Sequence, residues 1–242
     1  MSSERSVAEA PWRASLRGAR ATFAPGLVLQ AAALALVLAY YHHAATRAWL
    51  AQLEEFRADT GLVFGIISTG LVGGAIPFLY LRSRRVTRAR YSWSQGFGLI
   101  AFWSYKGAEI ELFYRFLARV VGEGVGVGTI ASKMVIDQFI YCPAFAVPVT
   151  VLIYGWIDAR YEVTPVSADW QKPGWYRRRV LPVMIPNLAV WIPTVCIIYA
   201  LPTPLQLPLQ NVVLCFFTLL LAHVTQESRS STKPVRKPAY VR

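Results

Sequence analysis

The chain has 242 residues, 55% of them hydrophobic and only 16% charged, with a formal net charge of +12. The length would suit one or two soluble domains, but the apolar residues run in blocks of about 18 or more, long enough to cross roughly 30 Å of hydrocarbon. The basic excess does not read as a nucleic-acid footprint, because it is concentrated on every second connection between those blocks and no stacking platform accompanies it.

The expected fold is all-α, a polytopic integral membrane protein of about six transmembrane helices at 26–46, 61–81, 96–120, 130–157, 180–200 and 205–225. A basic N-terminal tail, 1–25, holds Arg5, Arg13, Arg17 and Arg20, and the second connection holds Arg82, Arg84, Arg85, Arg88 and Arg90. The fourth holds Arg160, Lys172, Arg177, Arg178 and Arg179, and a basic C-terminal tail, 226–242, expected to be disordered, holds Arg229, Lys233, Arg236, Lys237 and Arg242. The opposite connections hold only Arg47 and Arg57. This positive-inside pattern places both termini in the cytoplasm and implies contact with anionic lipid heads at that face of the bilayer.

The first span, Gly26 to Tyr41, carries no charge and reads as a peripheral, lipid-facing helix. His42-His43 follow it as interfacial residues or as metal donors. Residues 45–59 interleave Trp49, Leu50, Leu53 and Phe56 with Glu54, Glu55 and Arg57, the pattern of a short interfacial helix. In the second span Gly61/Gly65 and Gly70/Gly74 are small residues at four-residue spacing, which lets another helix come close. Tight packing within the chain is the first reading of that seam, and a homo-oligomer is the other. Pro77 should kink the same span near its end.

The third span breaks the apolar rule with Lys106, Glu109, Glu111, Arg115 and Arg119. At about 100° per residue, Glu111, Arg115 and Arg119 share one stripe, with Lys106 and Glu109 on roughly the opposite side. Ionisable groups on two faces place this helix near the centre of the bundle, because each would be costly against lipid. The run Gly122 to Gly128 lacks the Gly-Lys-Ser/Thr of a phosphate loop and reads as a flexible outer turn.

The fourth span carries Lys133 and the pair Asp137-Gln138, with Pro143 at the fifth residue beyond. Pro148, Pro182, Pro186 and Pro193 follow in the fourth and fifth spans. Each interior proline frees a carbonyl, tolerable at membrane depth only where a neighbour or water satisfies it. The proline-rich turn at 201–208 makes spans five and six a hairpin, with Gln210 and Asn211 one to two turns into the last.

At about 1.5 Å of rise per residue, Lys106 lies roughly 15 Å from the cytoplasmic end of its span and Asp137 roughly 12 Å from the outer face. By depth alone, Glu111, Arg115, Lys133, Asp137, Gln138, Gln210 and Asn211 converge. In one reading Asp137 pairs with Arg115 or Lys133, the amides complete the hydrogen bonds, and the network fixes helix register. In the other, these groups line a hydrated passage for ions or small solutes. Cys142, Cys196 and Cys215 lie within spans without metal or redox spacing and read as reduced packing residues. Neither a catalytic set nor a metal or other cofactor is expected.

Lys133-Met-Val-Ile-Asp137-Gln138, followed by Pro143, resembles the Lys-x-x-x-Asp-Gln-x-x-x-x-Pro signature of the Mpv-seventeen / peroxisomal-membrane-protein-twenty-two family. Tyr114 and Leu117 stand where that family has its Trp-Tyr-x-x-Leu, and Pro182 and Pro193 keep the spacing of a later proline pair. The resemblance covers roughly 61–225. Gly74-Ala75 replaces a Gly-Asp pair, and Phe113 a tryptophan, as in a divergent, bacterial or eukaryotic, relative. The resemblance implies a pore-forming or solute-permeability protein of an organelle membrane, or of the cell inner membrane in a bacterium. A non-transporting scaffold is the alternative.

Overall fold

A computed structural model describes residues 11–230 apart from 86 and 90, with side chains described from 26 to 219 apart from 58, 86 and 90. Residues 1–10 and 231–242, on which most of the expected tail character falls, lie outside the described residues.

Every element among the described residues is helical. Helix α1 (Pro11–His42) begins inside the stretch expected as a tail. His43 is the N-cap of the next helix: its backbone is extended and its ring nitrogen accepts the Thr46 N–H at 3.3 Å. A helix cap, rather than a metal pair, accounts for this histidine. Helix α2 (Ala44–Arg57) leaves α1 at an angle of 101°. Helix α3 (Asp59–Ser83) follows, broken in its first turn by Gly61 at φ 51° and ψ −128°, a conformation open to glycine. Helix α4 (Trp93–Val121) opens on a reciprocal cap between Ser92 and Gln95. Then come α5 (Val127–Asp158), α6 (Val163–Trp170), α7 (Tyr176–Tyr199) and α8 (Thr203–Ser230).

By length and apolarity, α3, α5 and α7 can each cross a membrane, and the bent pair Gly26–His42 with Ala44–Arg57 adds a fourth if taken as one broken span. This is fewer than the six expected from the apolar blocks. Helix α4 is long enough at 29 residues, but its ionisable groups disqualify it as a purely apolar span. The described apolar part of α8, Thr203–Leu219, is short.

Helix α4 carries charge on both sides, with Arg115 and Arg119 exposed. Its buried side carries Lys106 and Glu111 beside Ile110, Tyr114 and Leu117, while Leu112, Phe116 and Val120 are exposed.

Three segments are wound as π-helix: Gly70–Ala75, Ile136–Ala146 and Tyr176–Val180. Each is followed two residues later by a proline, Pro77, Pro148 and Pro182. A proline ring clashes with the carbonyl four residues back and offers it no N–H. Widening the preceding turn gives that ring room. In α5 the Val147 N–H bonds the Cys142 carbonyl; in the same register Pro148 would face the Pro143 carbonyl and cannot donate. The Tyr176 hydroxyl donates to that carbonyl at 2.9 Å instead. The freed group expected from the prolines is thus satisfied by a neighbour. Pro193 lies inside the α-helical part of α7.

The small-residue seam is internal. A Cβ on Gly65 would come within 2.9 Å of the Gly107 carbonyl oxygen, and one on Gly70 within 2.2 Å of Ser104 Oγ. At Gly74 it would approach Ile100 Cα to 2.8 Å. Thus α3 and α4 lie backbone to backbone.

Helix α1 lies at the edge of the bundle, as expected, and is packed along one face. Ala33 and Val37 are buried along its seam with α7 and α8, Gln30 Nε2 donates to the Val190 carbonyl at 3.0 Å, and the Tyr41 hydroxyl donates to the Ala200 carbonyl at 2.6 Å. Its other face, with Val28, Leu34 and Leu38, is exposed. The core joins Ile110, Tyr114 and Leu117 of α4 to Val195, Ile198 and Tyr199 of α7 and to Leu205, Leu209 and Val213 of α8.

Candidate functional site

The polar residues expected to converge divide into separate groups. The first is an ion-pair relay. The Arg57 guanidinium donates to Glu111 Oε2, and Arg115 Nε donates to Glu111 Oε1 at 2.9 Å. Arg57 and Glu111 are 5% and 6% exposed, whereas the Arg115 side chain is about half exposed at 49%. Arg57 also lies 5.2 Å over the Phe64 ring, a cation–π contact that helps hold a guanidinium away from water. Arg115 is therefore spoken for by Glu111, one helical turn away, and does not pair with Asp137.

The second group clamps α8 to α3. The Thr69 hydroxyl donates to Asn211 Oδ1 at 2.9 Å, and Asn211 Nδ2 donates to Ser68 Oγ at 2.8 Å. All of the clamp's polar atoms meet within the seam, so Asn211 faces away from Asp137.

The third group surrounds a cavity of about 160 Å³ between α4, α5, α7 and α8. Lys106, Asp137, Gln138 and Gln210 line it, with Tyr114 and Asn187 among their neighbours. On α4, Lys106, Ile110 and Tyr114 recur every four residues and form one wall. On α5, Asp137, Gln138, Tyr141 and Cys142 all come from the π-wound segment. The wider winding turns this set toward one side, so the structural role of the prolines and the polar lining have a common origin.

Asp137 has no basic partner among the described residues. The Tyr199 hydroxyl donates to its Oδ2 at 2.6 Å and the Cys142 thiol to its Oδ1 at 3.7 Å. Gln138 is buried, and its Oε1 has no protein donor among the described residues. Lys106 pairs with Glu109 on its own helix, and the Tyr141 hydroxyl donates to the same carboxylate. The Tyr141 ring stacks on Phe113 with centroids 3.9 Å apart. Lys133 is buried and forms no ion pair among the described residues; its ammonium lies 6.0 Å from the Tyr199 ring centroid.

Sequence reasoning missed Arg57, Tyr141 and Tyr199. The signal for Arg57 was its rarity as a basic residue on an outer connection, which called for a buried partner. Nothing in the sequence around Tyr141 and Tyr199 marks them, and only the fold brings their hydroxyls to carboxylates. The cavity offers a guest one carboxylate, one ammonium and three amides, with room for several waters or a small polar solute. Neither a protein-family model, nor a curated protein, nor a solved structure matches this chain.

Proposed function

We propose that the chain forms, or contributes to, a pathway for ions or small solutes across a membrane, with the cavity at Asp137 as its polar station. One observation carries the reading: Lys106, Asp137, Gln138 and Gln210 line a single cavity between the helices, where polar groups without a guest or a partner are costly. Asp137 is held by hydroxyl and thiol donors rather than by an ion pair, so no counter-charge is bound to its carboxyl group in the lining. The motif resemblance to the Mpv-seventeen / peroxisomal-membrane-protein-twenty-two family supports the same reading at Tyr114, Leu117, Lys133, Asp137, Gln138 and Pro143. In this reading α4 and α8 complete six spans, both termini are cytoplasmic, and the protein acts without catalysis, cofactor or nucleic acid.

A scaffold reading is favoured by the other two groups. The Arg57–Glu111–Arg115 relay and the Ser68–Thr69–Asn211 clamp tie helices together and line no part of the cavity. Flux of ions and small polar solutes through liposomes holding purified protein separates the two. Flux lost in a folded Asp137→Asn variant supports the pathway; a folded wild type that passes nothing favours the scaffold.

A further inference from the structure

Where α3 ends, α4 begins and α5 ends, Arg82, Arg85, Arg88 and Arg160 line one concavity of about 520 Å³. The ion pairs among the described residues use other arginines, so no carboxylate there neutralises these four. Four like charges turned toward one space repel each other, and the backbone holds one of them there against its own preference. Arg160 and Tyr161 have φ of 54° and 68°, left-handed conformations that residues with side chains seldom adopt. The turn is tied in place: the Tyr161 hydroxyl donates to the Ser94 carbonyl at 2.5 Å, and Trp156 Nε1 to the Tyr161 carbonyl at 2.8 Å. Gln95 Nε2 donates to the Ile157 carbonyl at 3.3 Å. Arg82 is fixed as well, donating to the Tyr91 carbonyl at 2.6 Å with its guanidinium 4.4 Å over the Trp93 ring.

Beside this basket an apolar groove of about 990 Å³ runs between α4 and α5, walled by Phe97, Ala101, Tyr105, Val149 and Ile153. Its α4 wall extends from Ser94 to Tyr105, about 16 Å of helix. Consecutive residues join the two features. Gln95 and Arg160 line the basket, and Ser94 and Tyr161 line the groove. Arginine forks match phosphate oxygens in shape and charge, and an apolar channel leading away from them suits an acyl chain. Basic pockets between helix ends at a membrane face take anionic head groups in the same way.

We propose that basket and groove together bind one anionic phospholipid, its phosphate on Arg85, Arg88 and Arg160 and an acyl chain along α4 and α5. The groove shares no lining residue with the Asp137 cavity, so this site stands independently of the solute pathway. A free phosphate would use the basket alone.

The test titrates the purified full chain in detergent with phosphatidylglycerol or with phosphatidylcholine of the same acyl chains. Bound lipid is counted by native mass spectrometry, with inorganic phosphate as competitor. Phosphatidylglycerol should be retained at least about ten-fold more tightly, and Arg85→Gln/Arg88→Gln/Arg160→Gln, which changes only exposed side chains, should abolish that preference. Ala101→Trp, which fills the groove and leaves the basket intact, should weaken retention of phosphatidylglycerol. Equal retention of the two lipids by the wild type, or an unchanged preference in the arginine variant, overturns the proposal. So does an Ala101→Trp protein that binds phosphatidylglycerol as the wild type does while inorganic phosphate displaces it, which would assign the basket to free phosphate.

Discussion

Arg57 comes from the helix beyond the 101° bend and meets Glu111 in the middle of the bundle, where both side chains are buried. The pair joins a segment lying across the main helix direction to the most charged helix in the chain. Its partners are unequal: Glu111 also receives Arg115, whereas Arg57 has two guanidinium nitrogens without a protein acceptor among the described residues.

Removing Glu111 should therefore do more harm than removing Arg57. Glu111→Gln leaves a buried guanidinium uncompensated and is expected to destabilise by about 3–5 kcal/mol. Arg57→Met leaves Glu111 its bond to Arg115 and should cost less. Thermal unfolding in detergent of both single variants and the double variant checks this. Equal losses in the two single variants would remove the asymmetry.

The α3–α4 seam predicts a contrast among glycines. Gly107→Ala would place a methyl group 2.0 Å from the Gly65 carbonyl oxygen, and should destabilise by about 1–3 kcal/mol or more through overpacking. Gly128→Ala meets nothing within 4 Å and should leave the unfolding midpoint within a degree or so of the wild type. A Gly107→Ala protein as stable as Gly128→Ala would mean that the two backbones do not approach this closely.

Gln210 and Asn211 are neighbours in sequence with different surroundings. Asn211→Leu should lower stability by about 0.6–1.7 kcal/mol, the range for hydrogen bonds between membrane helices, and leave flux per folded molecule unchanged. Gln210→Leu should do the reverse, altering flux with little loss of stability. Liposome flux and thermal unfolding measured on the same preparations read both quantities.

The Asp169 carboxylate stands between Arg179 at 2.8 Å and Arg178 at 3.6 Å. The hydrogen bond from Arg179, aided by the charges of Arg179, Arg178 and Lys172, holds it below its ordinary value of 3.8. A carboxylate held low in the folded state stabilises that state above its unfolded value and ceases to do so as pH falls through the folded one. The contact should hold at neutral pH and be lost only below about pH 4. The carboxyl carbon shift of Asp169, followed by NMR from pH 6 to 2, should titrate below 3.8 in the wild type and move upward in Arg179→Gln.

The helices and the presence of ionisable groups inside the bundle were legible in the sequence; the pairing of those groups was not. Depth follows from counting residues, and by depth Asn211 belongs with Asp137. Rotation decides the outcome: one residue of helical turn sends Gln210 into the cavity and Asn211 to Ser68 and Thr69. Arg57 was hidden for another reason. An amphipathic stretch marks a helix at an interface, but the way such a helix bends back onto the bundle depends on the break at Gly61, which a permissive residue allows without requiring. The proline-rich stretches were legible as freed carbonyls. The answer at Pro77, Pro148 and Pro182, a widened turn just before the proline, depends on how neighbouring helices relieve the clash.

The hydrogen bonds from Gln30 to the Val190 carbonyl and from Tyr41 to the Ala200 carbonyl join positions 160 and 159 residues apart. During synthesis, at about 5–20 residues per second, the first helix waits roughly 8–30 s before its partner exists. Through that interval its seam with α7 is unmade. A segment destined for such a wait is best free of ionisable groups, and Gly26 to Tyr41 has none. Helix α4 can carry its charges because the arginine that answers Glu111 has already emerged, 54 residues earlier. For Glu111, at least one partner is thus made before the charge that needs it.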